Sequence, residues 1–414
     1  MAEQRPQIPY FKEFLPTPVC IVLSLFFAMV FQFNGGVFLP AATQMSSALG
    51  CIQEDVTMAG YASFIGMLMV VWICVMCLTR TIRLGKKIPL YGIDWIGLLL
   101  WTVMLFAIVF ICIYGDFYDW LDSVQIRSCI VIAVVSLLIN INRMTSIRHP
   151  YIDPQVFRYK KFPVVLFLFL MLCLFLTTSS VLQNAFMTSI LQYDTLNAIS
   201  LNWCVFAGIL AGAGIVFFRQ AVLKKGYKLL ISFGFTLIVM YQYYMYFLIY
   251  PDLNIESLYL PNFLKGIGHG VLYISLTIYV AKHIPFKHFF QSLCVLSFIR
   301  TSIATPLGAA ILNRWMKHLQ RDNWGLLSRN MDNLHEWMPD VSLMQLYEEV
   351  NTQTMLTSLK ELFGWICLLG TVFLVIVLSY RIWRDRHLAA LKMLHSLPVK
   401  KRYRPSSIHK ISKN

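Results

Sequence analysis

Residues 163–185 read Pro-Val-Val-Leu-Phe-Leu-Phe-Leu-Met-Leu-Cys-Leu-Phe-Leu-Thr-Thr-Ser-Ser-Val-Leu-Gln-Asn-Ala, an unbroken run without a charge. At 1.5 Å per residue such a run makes a helix of about 34 Å, enough to cross a hydrocarbon core of about 30 Å. Its apolar residues are continuous rather than alternating, which excludes a strand of a membrane barrel. Similar runs occupy 18–39, 58–78, 94–114, 128–145, 200–218, 229–249, 263–281, 290–312 and 362–382, so the pattern predicts about ten spans. The run 18–39 is too long for the apolar core of a signal peptide, and no small-residue cleavage site follows it. It is expected to stay as a span. Composition agrees: of 414 residues 58% are apolar and 13% charged, against about 25% charged in a soluble domain. The mean hydropathy is +0.63. The expected fold is an all-α polytopic membrane protein, because a soluble globule of this size cannot hide that much apolar surface.

The net charge of +15 is a topology signal rather than a partner signature. With the N-terminus in the cytoplasm, inside segments carry 27 of the 35 Lys and Arg residues and outside segments carry six. The remaining two, Lys265 and Arg300, lie within spans. The positive-inside bias predicts both termini in the cytoplasm, and an integral protein of the bacterial inner membrane is expected. The tail after Tyr380 holds ten of the basic residues, with Leu388, Leu391 and Leu394 on one helical face. It reads as a basic segment lying on an anionic leaflet, not as a nucleic-acid-binding element.

Chemistry-bearing motifs are sparse. Cys74 and Cys77 form Cys-x-x-Cys, but inside an apolar helix they read as packing residues. The histidines are scattered, and no zinc-protease, nucleophile-elbow or phosphate-loop motif occurs. No cofactor, no metal and no enzymatic activity are expected; an intramembrane enzyme would have to centre on His269.

Polar groups within spans carry more information, because their burial in lipid is costly. Lys265 and His269 are four residues apart and share a helix face. Between and beside them Gly266, Gly268 and Gly270 allow neighbouring helices to approach. Arg300 lies about a dozen residues into its span and precedes Pro306 and Gly308, where a kink is expected. These residues fit a cationic wall that meets an anionic substrate or headgroup. Helix-to-helix hydrogen bonding, with Arg300 donating to carbonyls of a broken helix, is the plainer reading of the same residues. Gln183 and Asn34, with Gln32 and Asn184, are further candidates for a polar interior. No acid stands in the middle of any span, which argues against proton coupling.

The order of several weak motifs resembles a known family. Asp94-Trp95-Ile96-Gly97, followed by Gly115, Trp120 and Ser123, is similar to the linker-helix start in the fourteen-span drug:proton antiporter branch of the major facilitator superfamily. Pro150 to Phe157-Arg158, Leu182-Gln183, and Arg300 with Pro306-Leu307-Gly308-Ala309 resemble later motifs of that branch. The likeness covers about 91–382. The chain departs from it at the start: span two opens like the family's second helix, with Ala59-Gly60-Tyr61, and runs through Arg80–Lys87 straight into the linker helix. Four spans of the branch would then be missing.

The resemblance implies alternating access by two helix bundles around a midplane site. It divides the chain into a partial first bundle (1–90), a linker helix pair (91–162), a six-helix second bundle (163–383) with a long outside loop at 313–360, and a basic tail (384–414). It implies efflux of amphipathic or anionic small molecules, with Arg300 lining the path. A homo-oligomer or another subunit would supply the missing wall. The competing expectation is a non-transporting remnant or assembly protein that docks through 313–360, where Trp315, Trp324, Trp337 and Tyr347 lie among mixed charges.

Overall fold

The long apolar runs become helices in the computed structural model, which describes residues 45–77, 94–147, 150–159, 161–193, 197–223, 226–329 and 342–396. Helix α1 spans Gln53–Cys77, α2 Trp95–Tyr114 and α3 Val124–Ser146. Helix α4 (Phe162–Thr178) passes through a π-helical turn, Ser179–Gln183, into α5 (Asn184–Ser189). Then come α6 (Asn197–Phe217), α7 (Tyr227–Leu248) and α8 (Tyr259–His283). Helix α9 (Phe286–Phe298) passes through a second π turn, Ile299–Ala304, into α10 (Thr305–Arg329). Helix α11 spans Leu343–Ser396.

Eight of these stretches are long and apolar enough to cross a membrane, at 95–114, 124–146, 162–189, 200–220, 227–248, 255–283, 291–329 and 344–379. They coincide with the last eight of the ten expected runs. The expected run 18–39 lies outside the described residues, as do Asn34, Gln32 and Arg80–Lys87. The run 58–78 falls within α1, whose side chains are described only in part.

Helix α8 packs between α6 and α7; α7 also meets α11, α11 meets α10, and α10 meets α4. Glycines bring α8 close to both neighbours. A Cβ on Gly208 of α6 would stand 2.9 Å from the Cα of Gly266, and one on Gly270 would stand 2.8 Å from the Ile209 carbonyl oxygen. On another face of α8, a Cβ on Gly268 would stand 2.9 Å from the Gly234 carbonyl oxygen of α7. Side chains at these positions would collide with backbone, which has no room to give.

Helices α2 and α3 form a hairpin, and α2 rests against α10 and the second π turn. Asp94 fixes the start of α2. Its Oδ1 accepts from the Gly97 N–H at 2.9 Å and from Arg143 Nε at 2.8 Å, at the far end of α3. This geometry gives the Asp-Trp-x-Gly sequence a physical reason: the aspartate caps the helix, and its carboxylate occupies the space where a Cβ at position 97 would stand.

The segment 313–360 is not the outside loop expected from sequence. Helix α10 continues to Arg329 and α11 begins at Leu343, so most of it is a helical hairpin, with 330–341 outside the described residues. Leu319, Leu356 and Leu359 are buried between the two helices, and Asn323 Nδ2 donates to Ser358 Oγ at 3.0 Å. The charged outer faces conceal this amphipathic packing from a search for apolar runs.

Candidate functional site

Two large apolar cores share the bundle, beside a small third at Val216, Leu230 and Val271. One is built around Phe169, Cys173, Phe235, Ile238 and Leu272, the other around Leu182, Phe186, Tyr241, Met245 and Phe363. Along α4 and its π turn, polar Thr177 to Ser180 separate the buried members of the first core from those of the second, and along α7 the passage falls between Ile238 and Tyr241, beside the buried Gln242.

The buried Lys265 stands at this junction. Its ammonium donates to Asn262 Oδ1 at 2.7 Å and to the Ser179 hydroxyl, and lies 5.2 Å from the centre of the Tyr241 ring. The Tyr241 hydroxyl in turn donates to Gln183 Oε1 at 2.7 Å. Gln242 Nε2 donates to Thr178 Oγ1 at 2.7 Å and to the Phe175 carbonyl at 3.1 Å, and its own Oε1 is buried without a partner among the described residues. The π turn is the local device that makes this possible. Ser179 and Gln183, the two ends of the π turn, supply the groups that meet Lys265 and Tyr241, directly after the buried Thr177 and Thr178.

Arg300 comes from the other π turn. Its guanidinium lies 5.2 Å from the centre of the Tyr273 ring on α8, and that ring meets His269 edge-on at 6.1 Å. His269 stands one turn after Lys265 on α8, and its ring meets the Tyr273 ring that carries Arg300. The structure thus gathers Gln183, Lys265, His269 and Arg300 into one region. Arg300 does not donate to any described backbone carbonyl; its stabilising contact is cation–π. The Arg300 carbonyl accepts the Thr305 N–H and also the Thr305 hydroxyl at 2.7 Å, immediately before Pro306. Gly308 lies one turn further, where a Cβ would stand 3.2 Å from Thr177 Oγ1 and press α10 against α4. Asn34 is not placed, since it lies outside the described residues.

Reasoning from sequence missed Asn262, Tyr241 and Gln242. Asn262 lies three residues before Lys265, and Gln242 interrupts an apolar run, so both carried a signal. Tyr241 carried none, because a tyrosine in a span is ordinary.

The chemistry of the cluster is one-sided. Among the described residues, no ion pair involves Lys265 or Arg300. All their partners are neutral. Lys265 spends two donors on Asn262 and Ser179, and Arg300 has five N–H donors with no described hydrogen-bond acceptor. Lys265 is buried and Arg300 half-buried, and cations held out of bulk water attract an anion more strongly than they would in it. No cluster of metal-binding side chains occurs among the described residues, and the described cysteines are free.

No protein-family model and no curated protein matches the chain. The class is therefore defined by architecture: this is an all-helical, integral multi-pass membrane protein.

Proposed function

We propose that the chain is a transporter of the bacterial cytoplasmic membrane, similar to the major facilitator superfamily, that moves amphipathic or anionic small molecules by alternating access. The observation that carries the reading is that Lys265, and Arg300 against the Tyr273 ring of the same helix, have only neutral partners among the described residues. Lys265 is buried, and a buried charge without a counterion is costly; a purely structural role there is served better by an apolar residue. A bound anion supplies the missing counterion. The π turns at Ser179–Gln183 and Ile299–Ala304 put irregular backbone beside Lys265 and at Arg300, as in transport sites built from interrupted helices. In this reading the wall that the first bundle leaves open is completed by a second copy of the chain or another subunit.

The test is transport by the full-length protein in proteoliposomes. A panel of carboxylated, sulfonated and phosphorylated amphiphiles is compared with cationic dyes of similar size. Flux of anions above the protein-free background, with no flux of cations, is expected. Absence of flux for every compound would remove the reading.

The second reading, a docking protein, draws on the hairpin of α10 and α11. Trp324 and Tyr347 meet there at 5.2 Å, and Leu326, Met344 and Tyr347 are exposed near its tip. Co-purification of an envelope protein that depends on this hairpin, without solute movement, would favour it.

A further inference from the structure

A second cationic feature lies at the opposite, basic end of the bundle, away from Lys265 and Arg300. Tyr279, near the end of α8, is its centre. The Tyr227 ring at the start of α7 meets it edge-on at 6.0 Å, and the His283 ring lies over it at 4.2 Å. Lys161, just before α4, holds its ammonium 6.0 Å from the Tyr279 ring centre, and Lys282 holds its own 5.5 Å from the Tyr227 ring centre. Two perpendicular tyrosine rings from two helices thus carry two lysines on one aromatic platform.

The acids at this end are already engaged. Asp94 pairs with Arg143 at 2.7 Å. Asp153 caps the Gln155 N–H at 2.9 Å and faces His288 at 3.7 Å. Among the described residues no carboxylate pairs with Lys161 or Lys282, and both are exposed. Tyrosine faces hold each ammonium by its charge while leaving its N–H groups free to donate outward. The His283 Nδ1 is taken by the Tyr279 carbonyl at 2.8 Å, which leaves Nε2 open.

We infer that this platform binds the phosphate of an anionic lipid headgroup in the inner leaflet. Position selects a lipid over a free anion. The platform stands where α4 and α7 enter the membrane and α8 leaves it. One to two turns deeper, Val164 and Phe167 on α4 and Leu229 and Phe233 on α7 are exposed apolar side chains along which acyl chains can lie. The site is independent of the transport reading and stands whether or not any solute moves.

The test uses full-length protein in a neutral detergent. Dioleoylphosphatidylglycerol, dioleoylphosphatidylcholine and inorganic phosphate are each titrated, with bound lipid read by native mass spectrometry and stability by thermal melting. Phosphatidylglycerol is expected to stay bound and raise the melting temperature, while the other two do neither. Each lysine near an anionic headgroup contributes on the order of fivefold in affinity, so K161Q/K282Q should bind about thirtyfold more weakly. K161R/K282R, which keeps both charges, should bind as the parent does. Equal retention of both lipids, an equal effect of inorganic phosphate, parental binding by the Gln variant, or loss of binding by the Arg variant would each overturn the inference.

Discussion

Lys265 reaches from its own helix to the hydroxyl of Ser179, inside a π-helical turn of the neighbouring span. A positive charge is thus held at the junction of two apolar cores by partners that carry no charge. If the lysine serves a ligand rather than the fold, removing it leaves the fold intact. K265M is expected to leave the melting temperature unchanged or raised, because an apolar side chain of similar volume avoids the desolvation of a buried charge. Anion flux should fall at least about tenfold, by the arithmetic of one charge-assisted hydrogen bond. Melting in detergent and flux in proteoliposomes read the two outcomes separately.

Packing of α8 against α6 gives a sharper structural prediction. G266V must push a side chain into the Val205 carbonyl and the Gly208 backbone, and should cost about 1–3 kcal/mol. G214A is the matched control, since a Cβ there meets nothing within 4 Å. Thermal melting should separate the two variants clearly; equal stability would mean the helices do not approach as closely as described.

Capping by Asp94 predicts a coupled effect. D94A removes the cap of α2 and leaves Arg143 without its partner, at a cost of about 1–2 kcal/mol. R143A leaves the cap in place and should cost less. A double-mutant cycle on melting temperature should show that the two losses do not add, because the residues share one contact.

Orientation follows from the basic residues and can be read chemically. With the native cysteines replaced by serine, L326C, in the hairpin of α10 and α11, should react with a membrane-impermeant maleimide in intact cells. L223C, beside Lys224 and Lys225, should react only after the membrane is opened. Both positions are exposed. The reversed pattern would invert the topology.

The spans were legible because long uncharged runs have few other places to go, and Phe162–Ser189 sits where the run 163–185 predicts it. The hairpin at 313–360 was not, because its buried Leu319, Leu356 and Leu359 are diluted by charged outer faces. Arg300, His269, Lys265 and Gln183 each stood out as polar residues in apolar runs. Their proximity did not, because Lys265 and Ser179 are 86 positions apart in the chain. The π turns were also hidden: one extra residue in a turn is set by what the neighbouring helix offers, and no local sequence rule announces it.

The most direct measurement of the central claim is carboxyfluorescein flux by reconstituted parent, R300A and R300K proteins at equal density in the bilayer. The guanidinium is proposed to meet the solute, while among the described residues the Tyr273 ring holds it. The account predicts parental flux well above protein-free vesicles, near-complete loss in R300A and partial retention in R300K, which keeps the charge but not the planar fork. Parental flux in R300A, or no flux above protein-free vesicles in the parent, would contradict it.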